Sequence, residues 1–384
     1  MALTVATAGT GVARTAHYVT PTGASAPIQT LLLEPQRTNL LVRSEDFSTT
    51  WAITASSVVT NATTAPDGTV TADKLQTNTT SAEHSVTQNI TWTNGTTYGV
   101  SCYFKAAEIG YGFITLPTVP FSTIRRNYIN LSTGAVTLAA STFGAAEALS
   151  NGWWRFTVWA TATGSTLSTS VRIGLTTSDT TTTTTGSNTT DGIYIWGAQI
   201  EAGVPSSYIK TEGTTVTRNA DSLYFPFTVP PQAMTVYVRG VNVGAYQSQT
   251  NAARVLHIGD INTGTDPRFS LVRNAGASQV QTLYDDGVTL RSGNATPSPT
   301  PVLRDIIEHR GVLSSSWVPS SGISVNGGVE QTGTTTASGP ATAWANPRLY
   351  IAGHADHDQF AYTHIAVVPG VQSMAEMRTI AGVS

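Results

Sequence analysis

The run Ile193-Tyr194-Ile195-Trp196-Gly197-Ala198-Gln199-Ile200 constrains this chain more than any other stretch, because bulky apolar side chains occupy both of its alternating faces. A strand with one wet side alternates apolar with polar, so a strand apolar on both sides belongs in the middle of a covered sheet. The run is therefore expected as a central strand of a β-sandwich, with Ile193 and Ile195 on one face and Tyr194, Trp196 and Ile200 on the other. Glu201-Ala202-Gly203-Val204-Pro205 ends it, since glycine supplies a positive φ and proline cannot extend a ladder. Residues 211–221 are polar without an apolar period and read as an exposed run joining two domains.

The rest of the chain repeats one grammar: four to eight β-branched or aromatic residues, then Gly, Asn, Asp or Pro. Val58-Val59, Ala72 to Leu75, His84 to Ile90, Tyr98 to Lys105, Ile124 to Leu131, Trp153 to Thr161 and Ser170 to Leu175 fit it. Turns are signalled at Pro66-Asp67-Gly68, Asn94-Gly95, Ser132-Thr133-Gly134 and Asn151-Gly152. The low-complexity tract Thr180 to Thr185 reads as an exposed loop. The pattern restarts at Met234 to Val243, Ala253 to Ile261, Arg268 to Asn274, Val280 to Tyr284, Ile323 to Asn326, Arg348 to Gly353 and Tyr362 to Val368. One helix is expected, at the end, where Ser373-Met374-Ala375-Glu376 has the form of a capping box and Met377 and Ile380 supply an apolar stripe.

At 384 residues the chain is long for one sandwich and sufficient for two with separate cores. The expected architecture is all-β: an N-terminal arm over residues 1–30, a jelly-roll sandwich over 31–218 and a second sandwich over 219–384, closed by the short helix. Charged residues are 11% and the formal net charge is -3, which provides no basic face for a phosphate backbone, so nucleic acid is not an expected partner. No window approaches the roughly 18 apolar residues of a membrane span, and the first residues carry no basic and apolar secretory leader. Synthesis in the cytoplasm and no membrane insertion are the corresponding expectations. The single cysteine, Cys102, lies in an apolar run and reads as a small buried hydrophobe.

Glycosidases of the concanavalin type place Glu-x-Asp-x-Glu on one strand, so that alternation brings the acids to one face. No such run occurs, nor a G-x-S-x-G elbow, nor a phosphate loop, and the chain has only three lysines, Lys74, Lys105 and Lys210. An enzyme is not expected. His354-Ala355-Asp356-His357-Asp358 is the one cluster of ligand-type residues; His354, Asp356, His357 and Asp358 could take a divalent cation such as Ca²⁺, or form a solvated hairpin tip. No other cofactor is expected. Sugar rings stack on aromatic faces. Trp153, Trp154, Trp159 and Trp196 read as core, with Trp153 and Trp159 opposed to Trp154. Trp92, beside the Asn94-Gly95 turn, and Trp317 and Trp344, in polar surroundings, read as exposed and as candidates for glycan or subunit contact.

Leu32-Leu33-Glu34-Pro35-Gln36-Arg37-Thr38-Asn39-Leu40-Leu41, Ser44-Glu45-Asp46-Phe47, Asn151-Gly152-Trp153-Trp154-Arg155, Ile195 to Gly203, Ser207-Tyr208-Ile209 and Val216 to Asp221 occur in an order that resembles a carbohydrate-binding-like jelly-roll module of tailed-phage and prophage structural proteins. Ile323 to Gly328, Leu349 to Gly353 and His364 to Val368 with the following helix are similar to laminin-G-like or concanavalin-A-like sandwiches. The resemblance implies a virion component such as a tail fibre, tail tip, head fibre or decoration protein. It further implies contact with other capsid or tail proteins through the N-terminal arm, self-association as a homotrimer, and attachment to host-surface polysaccharide. A soluble pair of carbohydrate-binding modules is the alternative, with a glycan depolymerase behind it.

Overall fold

The structure, a computed structural model, describes residues 4–7, 15–19, 28–219, 221–226, 233–242, 253–259, 268–274, 279–285, 290–298, 305–313, 319–334, 348–352 and 360–381. The chain divides into two compact units, Arg37–Arg218 and Met1–Gln36 with Asn219–Ser384. Both are β-sandwiches, and the short helix at the end is the α-helix of the described chain.

In the first unit, six strands pair in the order Phe143–Ala148, Trp153–Thr161, Thr97–Ala106, Gly192–Ala202, Ala72–Thr77 and Ser56–Thr63. The facing sheet runs Val136–Thr137, Arg125–Asn130, Tyr111–Leu116, Leu167–Thr176, Ser81–Trp92 and Thr183–Thr185, with Ala52–Thr54 also on Ser81–Trp92. Between them lies one core, to which the first sheet contributes Leu75, Val100, Phe104, Phe156, Val158, Ile193 and Ile195, and the second Val86, Ile114, Ile129, Val171, Ile173 and Leu175. All thirteen side chains are fully buried. Each such burial is worth about 1.5–3 kcal/mol before the entropy of ordering is subtracted.

The strand Gly192–Ala202 is central, as its two apolar faces require, with Thr97–Ala106 on one side and Ala72–Thr77 on the other. Its alternation breaks midway. The register with Thr97–Ala106 shifts between Trp196 and Gln199, where Gly197 has φ 62°. This bulge adds a residue, so Ala198 and Ile200 turn into the main core beside Ile193 and Ile195. Ile200 thus leaves the face expected for it, while Tyr194 and Trp196 stay on the outer one.

Turn chemistry follows the sequence closely at Asn151-Gly152, where φ is 59° and 76°, both positive as a type I′ hairpin demands. Two expectations hold only in part. Thr183–Thr185 is a strand on Ser81–Trp92, and Thr182 and Thr184 are buried, so half of the threonine tract is sheet edge rather than loop. The run after residue 211 is exposed over residues 212–217, as expected, but Thr211 is buried against Ser44, Val216–Arg218 pairs with Arg37–Asn39, and Asp221–Pro226 is a strand. β-branched threonine fits a pleated surface even where the pattern shows no apolar period.

The second unit pairs seven strands in the order Thr4–Thr7, Asp221–Pro226, Arg348–Ala352, Ala253–Gly259, Arg268–Asn274, Gln279–Asp285 and Leu290–Ala295. Its other sheet runs Thr15–Val19, Ile28–Leu33, Phe360–Pro369, Met234–Asn242, Ile306–Leu313, Pro319–Val325 and Gln331–Thr334. The sheets meet where the hydroxyls of Thr282 and Ser321 lie 2.7 Å apart and Ser321 also donates to the Gly293 carbonyl. Met374–Ile380 is helical behind the capping box of Ser373 and Glu376, and buries Met374 and Met377 against Tyr237.

Candidate functional site

The segments that carry the phage-module resemblance converge in the first unit. The Asn39 amide is fully spent: Nδ2 donates to the carbonyls of Ala198 (3.1 Å) and Ile209 (2.9 Å), and Oδ1 accepts from the amides of Leu41 and Ile200. Gln199 donates to Glu201 and accepts from the Ile209 amide. Glu201, wholly buried, accepts from the Ser206 amide and hydroxyl and faces Arg37. Burial pushes its carboxyl up, against the pull of Ser206, Gln199 and Arg37. Tyr208 bonds Ser44 and Glu45, and its ring packs on Trp196 at 4.6 Å. These bonds strap the segment after Gly203 across the outer face of the sheet, with Pro205 against Gly99. Their polar atoms serve the fold.

Trp153, Trp196 and Tyr103 form a second, smaller core beneath this strap, while Trp154 packs on the opposite, main-core side, as alternation requires. Trp159 is buried on the outer face and stacks with exposed Phe143, centroids 6.1 Å apart. Trp92 corrects its expectation. It is fully buried, edge-on to Tyr98 and Phe121, and its Nε1 donates to the Thr169 carbonyl. As the last residue of its strand it still faces the core, so proximity to the Asn94-Gly95 turn does not expose it. Trp317, Trp344, His354, Asp356, His357 and Asp358 lie outside the described residues. Among the described residues no three His, Cys, Asp or Glu side chains gather as a metal site. Cys102 is buried, and burial holds its thiol far above the usual range, which leaves it inert.

An open cleft of about 280 Å³ lies at one end of the first unit. Its walls are two connections that cross between the sheets: Glu108, Ile109 and Gly110 leading into Tyr111, and the segment from Thr177 through Thr184, Thr185, Gly186 and Ser187 to Asp191. The connections are stitched to each other by Ile109 N to Gly192 O and by Gly192 N to Glu108 Oε2, each 3.1 Å. Lys74 grips both oxygens of Glu108, at 2.9 and 2.8 Å. That bond, outweighing slight burial, holds the Glu108 carboxyl below its ordinary range. Glu108 is thus a steady hydrogen-bond acceptor and poorly suited to deliver a proton. Asp191 is fixed by Asn188, which donates to its carboxylate and accepts from its amide. Tyr111 is anchored by Asn130.

The cleft therefore presents held carboxylates, threonine and serine hydroxyls and the Tyr111 side chain, a lining that can hydrogen-bond a polyhydroxylated molecule. Nothing in the sequence reading identified it. The available signal was the threonine tract bounded by Asp191, and the Glu108-Ile109-Gly110-Tyr111 link, which carries an acid and an aromatic between two strands.

No protein-family profile and no curated protein matches the chain. Among solved structures, full-length tailspike protein 2 from Escherichia coli O157:H7 bacteriophage CAB120 is similar at 15% identity, over 41% of this chain and 23% of the tailspike, with a TM-score of 0.30. The chain thus spans under a quarter of that protein. Domains LG4-5 of the mouse laminin alpha1 chain are similar at 11% identity, over 77% of this chain and 88% of the laminin fragment, with a TM-score of 0.27.

Proposed function

We propose that the protein is a structural component of a tailed-phage particle, a fibre, tip or decoration subunit, whose β-sandwiches carry attachment to host-surface glycan. The observation that supports this reading most is the convergence of the phage-module segments. Arg37 to Asn39, Gln199 to Glu201, Ser206 to Tyr208 and Arg218 interlock as one buried hydrogen-bonded strap. Segments far apart in the chain thus meet in one physical unit, which supports reading their resemblance together. A sandwich displayed in many copies needs only weak affinity per copy, because linked binding events multiply.

Immunogold labelling of purified phage particles with an antibody to this chain tests the assignment. Gold on the particle is the expected result. Antigen found only in the soluble fraction of the lysate would replace the reading with that of a free carbohydrate-binding module pair.

A further inference from the structure

We infer that the cleft between Glu108–Tyr111 and Thr177–Asp191 is a saccharide-binding site, and that its ligand is an uncharged sugar ring, a hexose or N-acetylhexosamine, within a longer chain. The inference deepens the glycan-attachment reading and rests on it. Three features of the lining select this class.

The first is charge. Glu108 and Asp191 bring two carboxylates to the cleft, and the lining contains no cation. Lys74 stands behind Glu108 with its ammonium committed to both carboxylate oxygens. A uronic acid, a sialic acid or a sulfated sugar would place a further anion beside the Asp191 carboxylate and a Glu108 whose one cation is already committed, whereas sugar hydroxyls would donate to both acids in charge-assisted bonds.

The second is the hydroxyl wall. Thr177, Thr184, Thr185 and Ser187 can each donate and accept, which matches the mixed needs of a pyranose rim. Thr177 and Thr184 already bond each other at 3.0 Å, so this part of the wall is set before any ligand arrives. The third is size and shape. A cleft of about 280 Å³ falls at the small end of ligand sites, enough for one ring, and it is open to solvent rather than enclosed. Tyr111 and Ile109 supply apolar surface beside the polar wall, as the two-faced chemistry of a sugar requires.

The test is a glycan array read with the intact chain, followed by titration of the best oligosaccharide. The panel sets neutral hexose and N-acetylhexosamine oligosaccharides against uronic-acid and sialylated ones. Two variants accompany it: Thr185→Trp, which fills the cleft from an exposed edge, and Glu108→Gln, which keeps the shape and removes the charged acceptor. Thermal unfolding is recorded for both, and Ser187→Trp replaces Thr185→Trp if the latter unfolds early. The expected result is binding confined to neutral sugars, abolished by Thr185→Trp and weakened about tenfold by Glu108→Gln. Preference for acidic sugars, binding unchanged in folded variants, or no binding to the neutral panel would overturn the inference. Those failures leave particle labelling untouched, so the loss of this site and the loss of the virion reading are separable.

Discussion

Arg37 Nε sits 3.7 Å from the carboxylate of Glu201, whose side chain is wholly buried in the first sandwich unit. The pair joins the segment that enters the unit to the strand that ends in the strap. Removing one partner of a buried pair leaves an uncompensated charge, which costs about 3–5 kcal/mol, far more than a surface pair would. Arg37→Met, which keeps the aliphatic stem, is expected to destabilise the unit by that order in urea unfolding at pH 7. Glu201→Gln, which retains a hydrogen-bonding shape, should cost less, about 1–3 kcal/mol. Because the folded carboxyl is raised, its contribution is present below the unfolded value of 4.5 and lost as pH rises through the folded one. The pair with Arg37 exists only while Glu201 is ionised, so the penalty of Arg37→Met should shrink at pH 4, where the raised carboxyl holds its proton. Equal penalties at both pH values would mean that charge is not what the pair contributes.

Asp73 makes a related demand. Its carboxylate accepts from the amides of Phe47 and Asn61, each at 2.9 Å, yet burial raises it to about 6, with nearby Asp46 adding to the shift. The folded group holds its proton where the unfolded one, at 3.8, has released it. Stability from this site is thus complete below about pH 3.8 and declines as pH rises to about 6, by roughly 3 kcal/mol in all. Relative to the parent, Asp73→Asn should look worst at pH 4 and gain by that order at pH 7, in parallel urea titrations. A difference that does not vary with pH would show that Asp73 does not titrate in this window.

His309 carries the opposite sign. It is buried on Ile306–Leu313 between strand neighbours Val238 and Ile323, and among the described residues neither ring nitrogen has a hydrogen-bond partner. Burial lowers it to about 3, with Arg310 adding to the shift. The neutral ring is tolerated above the unfolded value of 6.5, and stability is lost as pH falls from there toward 3. His309→Leu removes two unsatisfied polar atoms without a large change of volume. It should stabilise the second unit by about 1–3 kcal/mol at pH 7 and flatten its acid limb, read by thermal unfolding at pH 7, 5 and 4. A less stable Leu variant would mean that the ring nitrogens are satisfied in solution.

Trp92 separates packing from recognition. With its ring edge-on to Tyr98 and Phe121 and its indole N–H donating to Thr169, Trp92→Ala should cost about 3–5 kcal/mol in chemical unfolding. Trp92→Phe keeps most of the packing and loses the hydrogen bond, so its cost should be smaller. Neither folded variant should change glycan affinity. A selective loss of binding in Trp92→Phe would return this residue to the contact surface.

Local pattern reached the strands whose side chains face a core, such as Ile193 and Ile195, and the turns whose glycines need positive φ, such as Gly152. It failed where a neighbour in space decides. Gly197 in a strand is compatible with a bulge or with straight pairing, and only the ladder with Tyr103 and Ser101 shows which, so Ile200 lies on the face opposite to the one its alternation predicts. Thr183–Thr185 has no apolar period, and becomes a strand because the early part of Ser81–Trp92 offers it an edge. The cleft was illegible for the same reason. Glu108 and Asp191 lie on separate connections, and no spacing in the chain encodes their meeting across the end of a sandwich.

Glu308 offers the sharpest pH contrast with Glu201. Buried under the C-terminal helix, it accepts from the Tyr237 hydroxyl at 2.6 Å and from Arg378, whose Nε lies 2.9 Å away and whose Nη2 also bonds it. Burial acts to raise its carboxyl, but the bonds from Arg378 and Tyr237 prevail and hold it below its ordinary range. Its stabilisation is then present above the unfolded value of 4.5 and lost as pH falls through the folded one. Arg378 also reaches the Ser324 hydroxyl, so one side chain ties the helix to two strands. Arg378→Ala leaves Tyr237 and the more distant Arg239 as the polar partners of a buried carboxylate. A loss of about 3 kcal/mol is expected at pH 7, with earlier exchange of the amides of helix Met374–Ile380. The loss should narrow toward pH 4, where the variant's Glu308 takes up a proton and the stranded charge disappears. Hydrogen exchange of the helix at both pH values checks this, and a helix equally protected in parent and variant would show that Met374 and Met377 alone hold it to Tyr237.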